Sequence, residues 1–467
     1  MSQFHRSLGL WDATMLVAGS MIGSGIFIVS AGMLRDLGSP AWMLVAWVVA
    51  GVLTVLAALS YGELAGMMPK AGGQFVYLHR AYGKLVAFLY GWTAFTVITS
   101  GIIAAVAVAF AKFSAVFFPV LSPENILLTL GPVRVSAAQL YAVSAIILLT
   151  WFNTRGVESS KTFTSIFTAA KIAAVLALIV AGLAVGLGTE VLATNLGQGW
   201  QAFTRGADGV VNPLTGAALL SALGVAMVGS LFSSDGWNSI TFIAGEVKEP
   251  QRNIPRSLAL GTFLVTGLYV LANITYLALL PAQEIMHAEA DRVGTAAAQV
   301  IMGPAAVSVM AILIMVSTFG CINGYVLVGP RMYYAMAKEG LFFKKAGVLS
   351  AKGVPQWALW VQCLWSCMLC FSGTYGDLLD YATFASLLFY VVTIAGIFIL
   401  RKREPGVERP YRAVGYPWIP ALYMVCALAF CLNLLVFKPT FTIGSLVIVG
   451  LGAAVYLVAM RSAKAAG

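Results

Sequence analysis

The sequence predicts an all-α polytopic membrane protein of twelve spans, the first and sixth broken at mid-membrane depth. Three observations predict it. The 467 residues are 60% hydrophobic and only 10% charged, with a mean hydropathy of +0.89. Apolar runs of the roughly 20 residues that cross a bilayer recur from end to end. The first run is interrupted in its middle by Gly19-Ser20-Met21-Ile22-Gly23-Ser24-Gly25-Ile26-Phe27, and a later one by Ser233-Ser234-Asp235-Gly236-Trp237-Asn238. A helix in lipid must satisfy its own backbone polar groups, so such breaks survive only where they line a cavity.

Spans are expected at about 11–37, 40–66, 83–115, 134–153, 161–187, 213–247, 256–280, 302–338, 356–373, 375–400, 417–437 and 440–461, numbered here 1 to 12. About three in four of the 28 Lys and Arg fall in the segments on one side. That bias puts both termini in the cytoplasm of a multi-pass plasma (inner) membrane protein. The net charge of +10 is thus a topology signal and not a sign of nucleic acid. Residues 1–467 read as one transmembrane domain. Breaks in spans 1 and 6 mark two five-helix repeats, about 11–187 and 213–400. An odd number of crossings inverts the second repeat, and 417–461 is an addition.

At the first break the chain offers small residues and free backbone groups. The half-helix after it begins near Ser24-Gly25-Ile26, and its first N–H groups carry partial positive charge, which suits a carboxylate. Gly23 and Gly25 let the backbone approach a ligand, and Ser24 adds a hydroxyl. Carbonyls released at Ser20 and Met21 suit a cation or an ammonium group. Carboxylate at one end and ammonium at the other describe an α-amino acid. The competing reading is a glycine-packed helix crossing. Three glycines and two serines within seven residues favour the break.

At the second break Gly236 interrupts the helix, and Asp235 offers its carbonyl or its carboxylate. An acid at membrane depth is a functional candidate by default. Three roles are open to it: holding a substrate ammonium, holding a cationic side chain, or capping the next half-helix. Phe232 and Trp237 are placed either to close over a ligand as a gate or to pack as ordinary aromatics.

Lys171 is the other charge at this depth. It lies ten residues after Lys161, or about 15 Å into span 5, too deep to snorkel. Its ammonium needs carbonyl or hydroxyl partners, and broken span 1 and the Ser317-Thr318 pair of span 8 are the candidates. Such an ammonium would do structurally what a bound sodium ion does elsewhere.

Glu63 and Glu246 read as helix ends near the basic side, solvated or paired. Cys363, Cys367 and Cys370 share a helix face, but no His or carboxylate joins them, so packing is expected rather than metal. No cofactor is expected. The three histidines lie outside the membrane core, which argues against an intramembrane hydrolase. Two different breaks in one chain also differ from the repeated filter groups of a channel.

The span 1 signature resembles that of the amino acid–polyamine–organocation permeases, and within them the L-type amino acid transporter branch. Tyr61-Gly62-Glu63-Leu64-Ala65 and Pro69-Lys70-Ala71-Gly72-Gly73-Gln74-Phe75 continue the resemblance. So do Asp235-Gly236-Trp237-Asn238 and Gly245-Glu246-Val247-Lys248-Glu249-Pro250. It implies a LeuT-type fold and sodium-independent transport of L-amino acids, commonly by exchange. It puts the substrate carboxylate on the amides of Ser24 and Gly25. The ammonium goes on the carbonyls of Met21, Phe232 and Asp235, with Phe232 as gate and Asn238 nearby. Lys171 matches the branch's span 5 lysine, which stands in for sodium. Two points depart from the pattern. Animal members bind a heavy-chain glycoprotein through a loop cysteine, and 116–133 has none, which argues against that partner. The acid at 235 varies in the branch and leaves substrate charge open. The reading is an exchanger of small or medium neutral amino acids working by alternating access. Its alternatives are a proton-coupled symporter, or an exchanger that takes cationic amino acids through Asp235.

Overall fold

The computed structural model describes residues 6–130, 133–197, 199–205, 210–372 and 375–465. Helix occupies each of the twelve segments predicted from hydropathy. Among the described residues nine helices are long and apolar enough to cross a membrane. The pair Leu10–Met21 and Gly25–Leu37, bent by 40° at its break, makes a tenth span. Spans 4 and 9 are shorter: Ala137–Asn153 has 17 residues and Gln356–Leu369 has 14.

Local chemistry sets several of these ends. Ser39 caps span 2 by accepting from the Trp42 amide, with Pro40 at the first helical position, where a missing N–H costs nothing. Ser136 and Gln139 form a reciprocal capping box at the start of span 4. Span 3 contains a π-helical turn at Ala94–Ile98, between Lys84–Thr93 and Thr99–Ser114. Such turns mark functional sites more often than chance would place them there.

The two halves of span 1, 1a (Leu10–Met21) and 1b (Gly25–Leu37), sit at the centre. Half-span 1a packs on spans 5, 7 and 8, while 1b packs on 6a (Gly216–Ser233). The segment after the second break is a single turn, Ser239–Phe242, followed by a 3-10 turn, Ala244–Glu246.

Two findings modify the expectations. The chain is not wholly helical, because two antiparallel hairpins form in the segments after spans 3 and 5. They pair Ile126–Leu130 with Val133–Ser136, and Phe203–Arg205 with Val211–Pro213. Outside lipid, water can satisfy the edges of such hairpins, so the rule that excludes open strands does not reach them.

The second correction concerns Glu63 and Glu246, which are not solvated helix ends. Glu63 is 1% exposed and takes a bidentate pair from Arg401 at 2.9 and 2.6 Å, with the Ala413 amide at 2.7 Å. Glu246 pairs with Arg331 at 3.0 Å, and both side chains are sealed from solvent. Each acid finds an arginine from a different span, which sequence distance hides. The Glu246 carbonyl also accepts from the amides of Ser7 and Leu8, tying the N-terminal segment across the end of span 6.

Candidate functional site

The two breaks touch. A Cβ on Gly25, the first residue of 1b, would lie 2.1 Å from Ser233 Oγ at the end of 6a. Gly236 turns with φ of 87°, a left-handed conformation, and a Cβ there would come within 3.0 Å of the Ser20 carbonyl oxygen. Glycine is required at both positions, by close approach at one and by backbone sign at the other. Gly236→Ala is therefore expected to lower stability by about 1–3 kcal/mol, read as earlier thermal unfolding in detergent.

Carbonyls between 1a and 1b lose their helical partners, and the surrounding spans answer each one. Lys171 Nζ donates to Gly19 O at 2.7 Å and to Ile22 O at 2.8 Å. Cys321 Sγ reaches Ser20 O at 3.3 Å. The Tyr269 hydroxyl of span 7 lies 2.9 Å from Met21 O and 3.1 Å from Ser233 O, bridging both breaks. Ser317 Oγ sits 3.1 Å from both Ile22 O and Gly23 O. Ser20 and Met21 are thus less free than the sequence suggests. Each carbonyl already accepts one bond and keeps a second lone pair. Thr318 donates to Ile314 within its own helix at 2.8 Å, so its proton is directed away from span 1. The ammonium of Lys171 and the hydroxyl of Ser317 hold the break.

On the other side, 1b presents its N-terminus at Ser24 and Gly25, where the first amides of a helix have no intrahelical acceptors. At the end of 1a, Ser20 Oγ is buried without a hydrogen bond, against Gly324 of span 8. Asp235 does not cap a helix. The cap residue of Ser239–Phe242 is Asn238, and the Asp235 carboxylate instead accepts from the Tyr390 hydroxyl of span 10. The Gly236 amide, within the break itself, is a second donor to the same carboxylate. Asn238 donates to Gln74 at 3.3 Å, and Gln74 donates to Thr393 at 2.9 Å. Trp237 is 2% exposed and packs edge-on against Tyr61 at 4.7 Å and tilted on Tyr390 at 5.2 Å. Phe232 is buried at the end of 6a.

Two narrow cavities meet at Asp235, Ser386 and Tyr390. One is apolar, between Leu53, Leu231, Leu387 and Phe430. The other is polar and runs past Gln74, Thr99 and Tyr325. A solvent-open vestibule on the Lys/Arg-rich face ends at Phe75 and Gly245, next to Gln74. Sequence reasoning missed Tyr269, Tyr325 and Tyr390. Each is a tyrosine in an apolar run, indistinguishable there from packing; the structure shows the Tyr269 and Tyr390 hydroxyls hydrogen-bonded at the breaks and Tyr325 lining the cavity.

Comparison with known proteins places this arrangement. The family model described as amino acid permease matches residues 8–459. The "Large neutral amino acids transporter small subunit 2" of Mus musculus is 30% identical over 430 residues, covering 91% of this chain and 76% of the relative. The "b(0,+)-type amino acid transporter 1" of Homo sapiens is 29% identical, with 94% and 84% covered. The "Asc-type amino acid transporter 1" of Mus musculus is 29% identical, with 90% and 74% covered. The chain therefore belongs to the amino acid permease family of the amino acid–polyamine–organocation superfamily, a family of LeuT-type membrane transporters and not of enzymes.

Proposed function

We propose that the protein is a sodium-independent exchanger of small or medium neutral amino acids, working by alternating access in the plasma membrane with both termini cytoplasmic. The observation that carries the reading is the ammonium of Lys171, fixed between the Gly19 and Ile22 carbonyls. A positive charge built into the break takes the place a dissociable cation would need, so no sodium ion is required there. Substrate carboxylate would sit on the amides of Ser24 and Gly25, helped by the helix dipole. Its ammonium would sit against the carbonyls of Met21, Phe232 and Asp235.

Exchange follows from the same accounting. A bound amino acid adds contacts at both breaks that differ between the open and closed states, so the loaded site closes more readily than the empty one. Two inverted repeats, about 11–187 and 213–400, would supply the rocking bodies. The relatives are named as amino acid transporters, one of them of large neutral amino acids, which supports an amino acid as the substrate. Because 116–133 contains no cysteine, a disulfide-linked heavy chain is not part of the proposal.

Uptake of labelled alanine into proteoliposomes, competed by each of the twenty amino acids, tests the substrate class. Alanine, serine and leucine are expected to compete strongly. A panel in which no neutral amino acid competes would refute the assignment.

A further inference from the structure

We propose that the polar cavity is a side-chain subsite for amino acids ending in a primary amide, read by Gln362 of span 9 through a gap that Gly329 leaves in span 8. The proposal rests on the exchanger reading above and deepens it, adding to its substrates a side chain that both donates and accepts hydrogen bonds.

Gln362 approaches the cavity from behind span 8. Its Nε2 donates to Val326 O at 3.5 Å. That carbonyl is available because the residue four positions on is Pro330, which has no N–H to give it. The bond orients the amide, with its nitrogen toward Val326 and its oxygen toward Gly329. A Cβ on Gly329 would fall on Gln362 Oε1 and lie 3.1 Å from the Thr99 methyl. Gly329 and Thr99 both line the polar cavity. A side chain at 329 would therefore come between Gln362 and the cavity.

Gln362 Oε1 is buried and accepts no hydrogen bond. Two hydroxyls beyond Thr99 are in the same condition. Tyr333, one turn past Gly329 on span 8, faces Thr99 and Ser100, and the hydroxyls of Tyr333 and Ser100 are buried without partners. An unused acceptor beside unused hydroxyl donors is the complement of a primary amide. The ligand's NH2 donates to Gln362 Oε1, and its carbonyl accepts from a hydroxyl. An apolar ligand of the same size would cover these atoms and leave them unpaired, which is the basis of selection.

Length selects as well. The polar cavity runs from Asp235, where the substrate ammonium is proposed to dock, past Tyr325 to Gly329. Tyr325 and Gly329 are one turn apart, about 6 Å along the helix, a reach that glutamine has and serine lacks. Apolar side chains have the other cavity, between Leu53 and Leu387.

The test measures displacement of labelled alanine from the purified full chain by glutamine and by methionine, which has similar length and no amide. Glutamine is expected to displace alanine from the unaltered protein. Gln362→Leu keeps the bulk and removes the acceptor, and is expected to raise the inhibition constant of glutamine about tenfold relative to that of methionine. Gly329→Ala is the second variant, because Gln362→Leu also strips Val326 O of its donor and can fail to fold. Alanine is at home in a helix, and its methyl must push Gln362 Oε1 aside, so the same ratio should rise. Glutamine that leaves alanine bound would overturn the subsite. So would a glutamine-to-methionine ratio unmoved in the folded variants. The expected ratios without alanine counterflow in proteoliposomes would overturn the exchanger reading and leave the subsite standing.

Discussion

Lys171→Ala is expected to retain measurable amino acid binding and to lose most of its turnover. The ammonium bridges two carbonyls, Gly19 at 2.7 Å and Ile22 at 2.8 Å, at the C-terminal end of half-span 1a, where the helix breaks. Neither lies at the N-terminal amides of Gly25 and Ser24, where the carboxylate is proposed to dock. Deletion leaves both carbonyls buried with one donor fewer, and an unsatisfied buried acceptor costs about 1–3 kcal/mol. Ser317 still reaches Ile22, so Gly19 bears most of the loss. A conformational step penalised by that amount slows about ten- to a hundredfold. Binding by scintillation proximity beside counterflow rate separates the two effects. Equal loss of binding and turnover would move Lys171 into the substrate site.

Arg331→Leu is expected to be among the most destabilising single changes in the chain. Arg331 follows Pro330 inside span 8, and its guanidinium is sealed from solvent against Glu246, also donating to Leu327 O at 2.7 Å. Removing one partner of a buried pair strands the other charge, at a cost of about 3–5 kcal/mol. The same carboxylate belongs to the residue whose carbonyl anchors Ser7 and Leu8, so the N-terminal segment should loosen as well. Replacing both partners, Arg331→Leu with Glu246→Leu, removes the stranded charge and should recover much of the stability. Thermal unfolding of the two single variants and the double in detergent makes the cycle. Purely additive losses would show that the pair is not an energetic unit.

The contrast between these residues shows what a membrane sequence discloses. Spans and breaks are legible because lipid admits few backbone solutions: twenty apolar residues mean a helix, and a glycine-serine cluster within them means an exception. Lys171 is legible for the same reason, as a lone charge where charges are costly. By sequence Arg331 is one more basic residue near the Lys/Arg-rich end of its span. That reading could not see that span 6 delivers Glu246 to it. Tyr269, Tyr325 and Tyr390 were opaque for a different reason. An aromatic ring in an apolar run satisfies hydropathy whether or not its hydroxyl bridges two helices. Asp235 lay between these cases: its importance was visible, but capping and a tyrosine partner on span 10 demand the same residue type.

The most direct test of the account is counterflow in sodium-free medium. Proteoliposomes loaded with unlabelled alanine, with potassium replacing sodium on both sides and no potential imposed, should take up labelled alanine as fast as in sodium. They should also take it up several times faster than vesicles without internal amino acid. Uptake that collapses when sodium is replaced, or that ignores internal alanine, would contradict the role given to Lys171 and the exchange mechanism built on it.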